Sequence, residues 1–434
     1  MMDPQTIGYI GLAVFFILLL AGVPVGAAMG LIGFCGYSLI VSSTAALGKV
    51  AIVPYQTMID FNFAVIPAFV LMAQIFNEAG FGTKLYDASE KWLGHYRGGL
   101  GMATILACAV FAAISSATIA TVVTIGLVAI PEMLKRNYQP HFAGAVVAAG
   151  GGLGVLIPPS NILILYGIMT QQSIKDLFMA GIIPGIVLAF AYMSVIGFVC
   201  WFRPNFGPAG TKYSFREKVM ALFSCWEVLL VIIISIGGLF LGWFTPTEAG
   251  AAGASGAIIV ALLRQKLTWE GFKRAIKGTV GNSGMVAFIL IGALIFNYFA
   301  AVSTIPQNLI GVIGAINAKP FLIMLVLTGV YLVLGCFLDS LSMILLTIPF
   351  VYPLVISLGY DPVWFGIYVV LIMEMAVITP PIGINVFAVG GMFKELNAET
   401  VFRGVVPFVV TQFAVILLLL LAPEIALFLP NTLK

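Results

Sequence analysis

Charge is what this sequence has least of. Only 9% of its 434 residues are Asp, Glu, Lys or Arg, against about 25% in a soluble domain. Hydrophobic residues make up 61%, and the mean hydropathy is +1.13. Those proportions exclude a soluble enzyme domain and point to a polytopic, all-helical membrane protein. The net charge of +3 is no argument for nucleic acid, because the basic residues sit between apolar runs. Cysteine is also scarce. Cys35, Cys108, Cys200, Cys225 and Cys336 are far apart, each in or beside an apolar segment. They read as small buried hydrophobes, which excludes a disulfide framework or a cysteine metal set. The only histidines, His95 and His141, lie near segment ends, which excludes a haem subunit with axial ligands inside its helices. Met1 to Gln5 carries no basic residue, so a retained N-terminus is expected rather than a cleaved signal peptide. The glycine run Gly150–Gly154 lacks a following Gly-Lys-Ser/Thr. It is no P-loop, and ATP hydrolysis is not expected.

What is abundant is apolar sequence, and it is interrupted in the same way twice. Gly150-Gly-Gly-Leu-Gly-Val-Leu-Ile-Pro-Pro-Ser-Asn161 runs into Pro158 and Pro159. Neither proline has an N–H, and the residue before each is pushed out of the α region, so a helix must break there. Ser160 and Asn161 are good caps for a restarted helix. Met375-Ala-Val-Ile-Thr-Pro-Pro-Ile-Gly-Ile-Asn385 repeats the device at Pro380 and Pro381. Broken helices at matching positions of two halves point to a transport site.

Other landmarks recur at the same separation: Pro24 with Pro246, Tyr138-Gln-Pro140 with Tyr360-Asp-Pro362, Gly144 with Gly366. The expected plan is two repeats, residues 1–202 and 226–434, joined by a cytoplasmic connector at 203–225. Each repeat would hold scaffold helices, a re-entrant hairpin (99–134 and 320–357) and a broken helix (141–171 and 363–393). A last span covers 404–429. The stretch 80–98 reads as a polar loop. Placing it in the cytoplasm puts all of the 20 Lys and Arg inside except Lys49, Lys175, Lys319 and Lys434, which satisfies the positive-inside rule. An odd number of crossings per half then makes the repeats inverted, with both termini outside.

Almost no charge lies at membrane depth. Asp339 falls near the second hairpin tip and Glu374 precedes the second proline pair. An intramembrane acid is a functional candidate by default. Each also has a structural reading, Asp339 bonded to its own hairpin and Glu374 packed as a satisfied acid. With no Lys or Arg near either break, an anionic substrate would be held by helix N-termini and neutral donors. Ser160, Asn161 and Asn385 are the candidates. Free carbonyls and hydroxyls at a broken helix suit a hard cation such as sodium. The first such site would combine Ser115 and Thr118 with backbone at Gly154, Ile157 and Pro159. The second would combine backbone at Gly335 and Ala376 with Thr379 and Ile382. Ser116 and Ser340 could equally serve as ordinary helix–helix hydrogen bonds.

Three stretches carry a family resemblance: Gly-Leu-Gly-Val-Leu-Ile-Pro-Pro-Ser (152–160), Leu-Asp-Ser-Leu-Ser-Met-Ile-Leu-Leu-Thr-Ile-Pro (338–349) and Glu-Met-Ala-Val-Ile-Thr-Pro-Pro-Ile-Gly-Ile-Asn (374–385). In them, and along nearly the whole chain, the sequence resembles the large membrane subunit of tripartite ATP-independent periplasmic (TRAP) transporters. The resemblance implies an elevator-type, sodium-driven transporter in the bacterial inner membrane. It also implies two partners, a small four-helix membrane subunit on a separate chain and a periplasmic substrate-binding protein. The cargo would be an organic acid: a C4-dicarboxylate, sialic acid, or another sugar or keto acid. Two or more sodium ions would serve as coupling ions, lipid would surround the spans, and no nucleic acid is involved. The chain departs from the family's usual pattern at Ala376, where glycine is usual, and at Ser116-Ala117 in place of Gly-Ser. A channel would need a continuous polar stripe, and only two local breaks are present. The alternative transporter is a proton-coupled organic-anion symporter that uses Asp339 and Glu374 and needs no binding protein.

Overall fold

The computed structural model describes residues 3–433 except 317, 382, 394 and 395. The described residues contain helices and no strand. Among the described residues, seven helices are long and apolar enough to cross a membrane, or up to nine if each bent pair is one span.

Helices follow one another in the same order in both halves. Val25–Ile40 starts after Pro24, and Pro246–Leu263 starts with Pro246 at its first turn. Ser43–Ile59 and Val65–Glu78 of the first half, separated by an Asp60 turn, correspond to the single 34-residue helix Trp269–Val302 of the second. The hairpins are Gly99–Ser115 with Thr118–Lys135, and Pro320–Leu334 with Ser340–Ser357. The broken helices are Pro140–Leu156 with Asn161–Thr170, and Pro362–Ala376 with Ile384–Met392. Each half then has a long helix, Ile174–Phe202 or Ala398–Leu421.

Side-chain register shows that the halves run in opposite directions. A Cβ on Gly26 would meet the backbone of Ile289, and one on Gly33 the backbone of Phe296, so Val25–Ile40 lies parallel to Trp269–Val302. Gly250 meets Ala68 and Gly253 meets Met72, so Pro246–Leu263 lies parallel to Val65–Glu78. Yet Gly278 faces Gln74 while Arg274, earlier in its helix, pairs with the later Glu78 at 2.7 Å. Trp269–Val302 is therefore antiparallel to Val65–Glu78. The corresponding helices Val25–Ile40 and Pro246–Leu263 must be antiparallel in turn, which is the relation of inverted repeats. Small residues make this swapped packing possible by letting backbones approach closely.

The two broken helices form the centre. Every residue from Phe142 to Leu156 and from Trp364 to Ala376 is buried. A helix apolar on all sides belongs in an interior, and each hairpin packs against the broken helix of its own half.

Several segments differ from the sequence reading. The stretch 80–98 is not a loop: Phe81–Leu93 is an amphipathic helix, bent 73° from Val65–Glu78, that buries Phe81, Leu85 and Tyr86. Lys84, Asp87 and Lys91, spaced along one face, lowered the average hydropathy and hid it. Ser43–Ile59 and Ile305–Ile316 are further helices with no counterpart in the expected plan. The connector contains the capped helix Phe215–Phe223. The last span begins at Ala398 and ends at Leu421, and a separate helix Glu424–Thr432 follows.

Candidate functional site

Both hairpin tips and both helix breaks open onto one cavity of about 530 Å³. Ser115 to Thr118 line it from the first tip and Asp339 to Leu341 from the second. Asn161 and Ile162 contribute from the first break, with Val377, Ile384 and Asn385 from the second. The opposite wall is Val65–Glu78 and Trp269–Val302, through Gln74, Asn77 and Asn282. Among the described residues, no Lys, Arg or His lines it, and Asp339 is its one charged group.

At the first break, Pro158 and Pro159 remove the amides that would have reached the carbonyls of Gly154 and Val155. Gly154 also lies against the first hairpin tip. A Cβ there would stand 2.9 Å from Thr121 Oγ1 and 3.3 Å from the Ala117 carbonyl oxygen. That carbonyl is fully engaged, accepting from Thr121 N at 3.2 Å, Ser115 Oγ at 3.3 Å and Thr121 Oγ1 at 3.0 Å. Ser116, held at a left-handed φ of 51°, has a buried Oγ with no partner among the described residues. Thr118 Oγ1 donates to Glu374 Oε1 at 3.4 Å, across the two halves. Glu374 Oε2 is buried, has no partner there, and faces Gly152. Among the described residues, hydroxyls, a carbonyl and one buried carboxyl group with no ammonium or guanidinium beside them form a donor set that fits a hard monovalent cation.

The second joint is built differently. Gly335 fits so closely on Ala376 that a Cβ would overlap the Ala376 methyl. The Ala376 carbonyl accepts from Thr379 N at 3.2 Å and the Val377 carbonyl from Asn385 N at 3.1 Å. Thr379 Oγ1 donates back to Met375 O at 2.5 Å. The oxygens here are thus partly engaged, although a carbonyl keeps a second lone pair.

The structure gathers Ser115, Thr118, Asn161, Asn385 and Asp339 on the cavity, with Gly154, Gly335, Ala376 and Glu374 behind it. Other candidates are absent from its lining. Ser160 is buried, and its Oγ caps the restarted helix by accepting from Leu163 N at 3.2 Å. Ile157 packs on Gly185, Pro159 is buried in the turn, and Thr379 does not reach the lining. Ile382 lies outside the described residues. Asp339 is an N-cap: its Oδ2 accepts from Leu341 N at 3.1 Å and from Ser342 N at 3.4 Å, and its Oδ1 from Ser342 Oγ at 2.5 Å. Asn385 Nδ2 donates to the Ala148 carbonyl at 3.0 Å, tying the second break to the first broken helix.

Sequence reasoning missed Gln74, Asn77 and Asn282. The signal was there: Gln74 and Asn77 are amides at i and i+3 inside an apolar segment, which places them on one helix face.

The family model for the DctM component of the tripartite ATP-independent periplasmic transporter matches residues 12–425. The sialic acid TRAP transporter large permease protein SiaM of Vibrio cholerae is 32% identical over 95% of this chain and 96% of its own length. The C4-dicarboxylate TRAP transporter large permease protein DctM of Rhodobacter capsulatus is 31% identical over 96% of this chain and 97% of its own. The isethionate TRAP transporter permease protein DctMQ of Oleidesulfovibrio alaskensis is 31% identical over 98% of this chain, which spans 66% of that longer protein. Among solved structures, the YdaH transporter of Alcanivorax borkumensis superposes with a TM-score of 0.66 at 12% identity, covering 95% of this chain and 98% of that one. That likeness speaks for the fold alone.

Proposed function

This chain belongs to the family of DctM components of tripartite ATP-independent periplasmic transporters and is a multi-pass inner-membrane protein, and we propose that it is the permease of a sodium-driven importer of an organic acid. The observation that carries this reading is the cavity where both tips and both breaks meet, which has no base among its described residues. An acid that leaves water for such a cavity needs compensation for its charge. The N-terminus of Asn161–Thr170, with the side chains of Asn161 and Asn385, supplies part of it. Co-bound sodium at the hairpin–break joints supplies the rest, in place of fixed lysine or arginine.

Binding is then reciprocal: sodium raises substrate affinity by the factor by which substrate raises sodium affinity. Two broken helices offer two joints. The first, with the Ser115 and Thr118 hydroxyls and the Gly154 carbonyl that Pro158 leaves without an amide, has the fuller donor set. The hairpins and broken helices would move as one body against the scaffold helices, in an elevator cycle. Relatives are named for sialic acid and for C4-dicarboxylates, so we place the cargo among such acids. We infer the partners from the family: a small four-helix membrane subunit and a periplasmic binding protein that delivers the acid. The employment of Asp339 as a helix cap counts against Asp339 as a proton relay, which leaves Glu374 as the acid that such a relay would need.

Removing the hydroxyls with Ser115→Ala and Thr118→Val tests the assignment. In proteoliposomes, both variants should need several-fold more sodium for half-maximal uptake at unchanged protein yield. A proton relay gives a different pattern, in which Asp339→Asn abolishes uptake and a pH gradient alone drives it.

A further inference from the structure

We propose that a second, separate groove binds an anionic phospholipid, with the lipid phosphate between Arg203 and Arg403. The groove, of about 870 Å³, lies between the end of Ile174–Phe202 and the beginning of Ala398–Leu421. It shares no residue with the central cavity.

The two walls have the same polarity profile. On one, Arg203 follows the last helical residue, and Phe198 and Phe202 precede it. Their rings lie 4.7 Å apart, and the two residues are 64% and 68% exposed. On the other, Arg403 comes in the second turn, and Val406 and Pro407 follow. One helix ends where the other begins. Both walls therefore pass from guanidinium to apolar side chains in the same direction, by about one turn or 6 Å. That is the profile of an amphiphile: a charged head, then a hydrocarbon chain.

The neighbouring contacts hold the basic end in place. A Cβ on Gly404 would overlap the carbonyl oxygen of His141, so Ala398–Leu421 rests directly on that residue. His141 lies edge-on to Phe206 at 4.9 Å, and the Arg203 guanidinium sits 5.4 Å from the same ring. Arg203 has no carboxylate partner among the described residues. Arg403 pairs with Glu399 at 2.6 Å, but both are about three-quarters exposed, and such a surface pair is worth little. A guanidinium keeps N–H donors in a fork that matches phosphate oxygens. Basic pockets between spanning helices are known settings for anionic headgroups. A small soluble anion would leave Phe198, Phe202 and Val406 uncovered, whereas an acyl chain covers them.

Native mass spectrometry of the full-length protein in non-ionic detergent, titrated with phosphatidylglycerol or phosphatidylcholine of equal chain length, tests this. Phosphatidylglycerol should be retained in preference. Arg203→Ala with Arg403→Ala should weaken it roughly 30-fold, from about 1 kcal/mol per basic residue. Val406→Trp, which fills the apolar part and keeps both arginines, should also weaken it with no change in thermal unfolding. Millimolar inorganic phosphate should not compete. Equal retention of phosphatidylcholine, or unchanged phosphatidylglycerol binding in either variant, overturns the proposal. Displacement by inorganic phosphate overturns it too, since the groove would then be a plain anion site.

Discussion

Gly335 and Ala376 form a matched pair. In the first half the glycine of the hairpin–break joint is Gly154, on the broken helix, opposite Ala117 and Thr121 of the hairpin. In the second half the broken helix carries Ala376, and the glycine is on the hairpin instead. Close approach is kept in both joints, with the missing side chain on opposite partners. Gly335→Ala should therefore overpack the joint, at a cost of about 1–3 kcal/mol, and lower the unfolding temperature in detergent. Ala376→Gly added to it should recover most of the loss. A double variant as unstable as the single one would show that this contact is not what limits the joint. Ala376 stood out in the sequence as a departure from the family's usual glycine. Its compensation by Gly335 could not be read there, because it depends on a contact between segments far apart in the chain. Ser160 is a related case. Its capping chemistry was legible, and a hydroxyl spent on Leu163 N is not thereby presented to the cavity.

Helices whose sequence departs sharply from its surroundings were the legible ones. Double prolines and restarting caps gave both breaks, and the recurrence of Pro24 as Pro246 gave the repeat. Amphipathic helices were not legible by average hydropathy: Phe81–Leu93 buries one face and shows lysines on the other. The swapped pairing of scaffold helices was also out of reach, since no local pattern says which glycine meets which backbone. Gly33→Leu tests that pairing. A Cβ at Gly33 would already be 2.6 Å from the backbone nitrogen of Phe296, and neither backbone can yield cheaply. We expect a loss of at least about 1–3 kcal/mol, read as lower folded yield and unfolding temperature. Gly48→Ala, where nothing lies within 4 Å, should be close to neutral. Equal effects of the two substitutions would count against the pairing.

For the molecule as a whole, two inverted halves bring two tips and two breaks to one place, and the charge at that place is sparse. Among its described residues the cavity offers amides and hydroxyls to a substrate and no fixed base to hold an anion. The central claim is that the missing positive charge arrives with the coupling ions. Its most direct test is uptake of candidate acids by proteoliposomes that contain this chain with the small membrane subunit and the binding protein proposed for it, with and without a sodium gradient, at matched pH on both sides. Uptake should depend on sodium with a Hill coefficient above one and collapse when choline replaces it. Full-rate uptake with no sodium present would contradict the account.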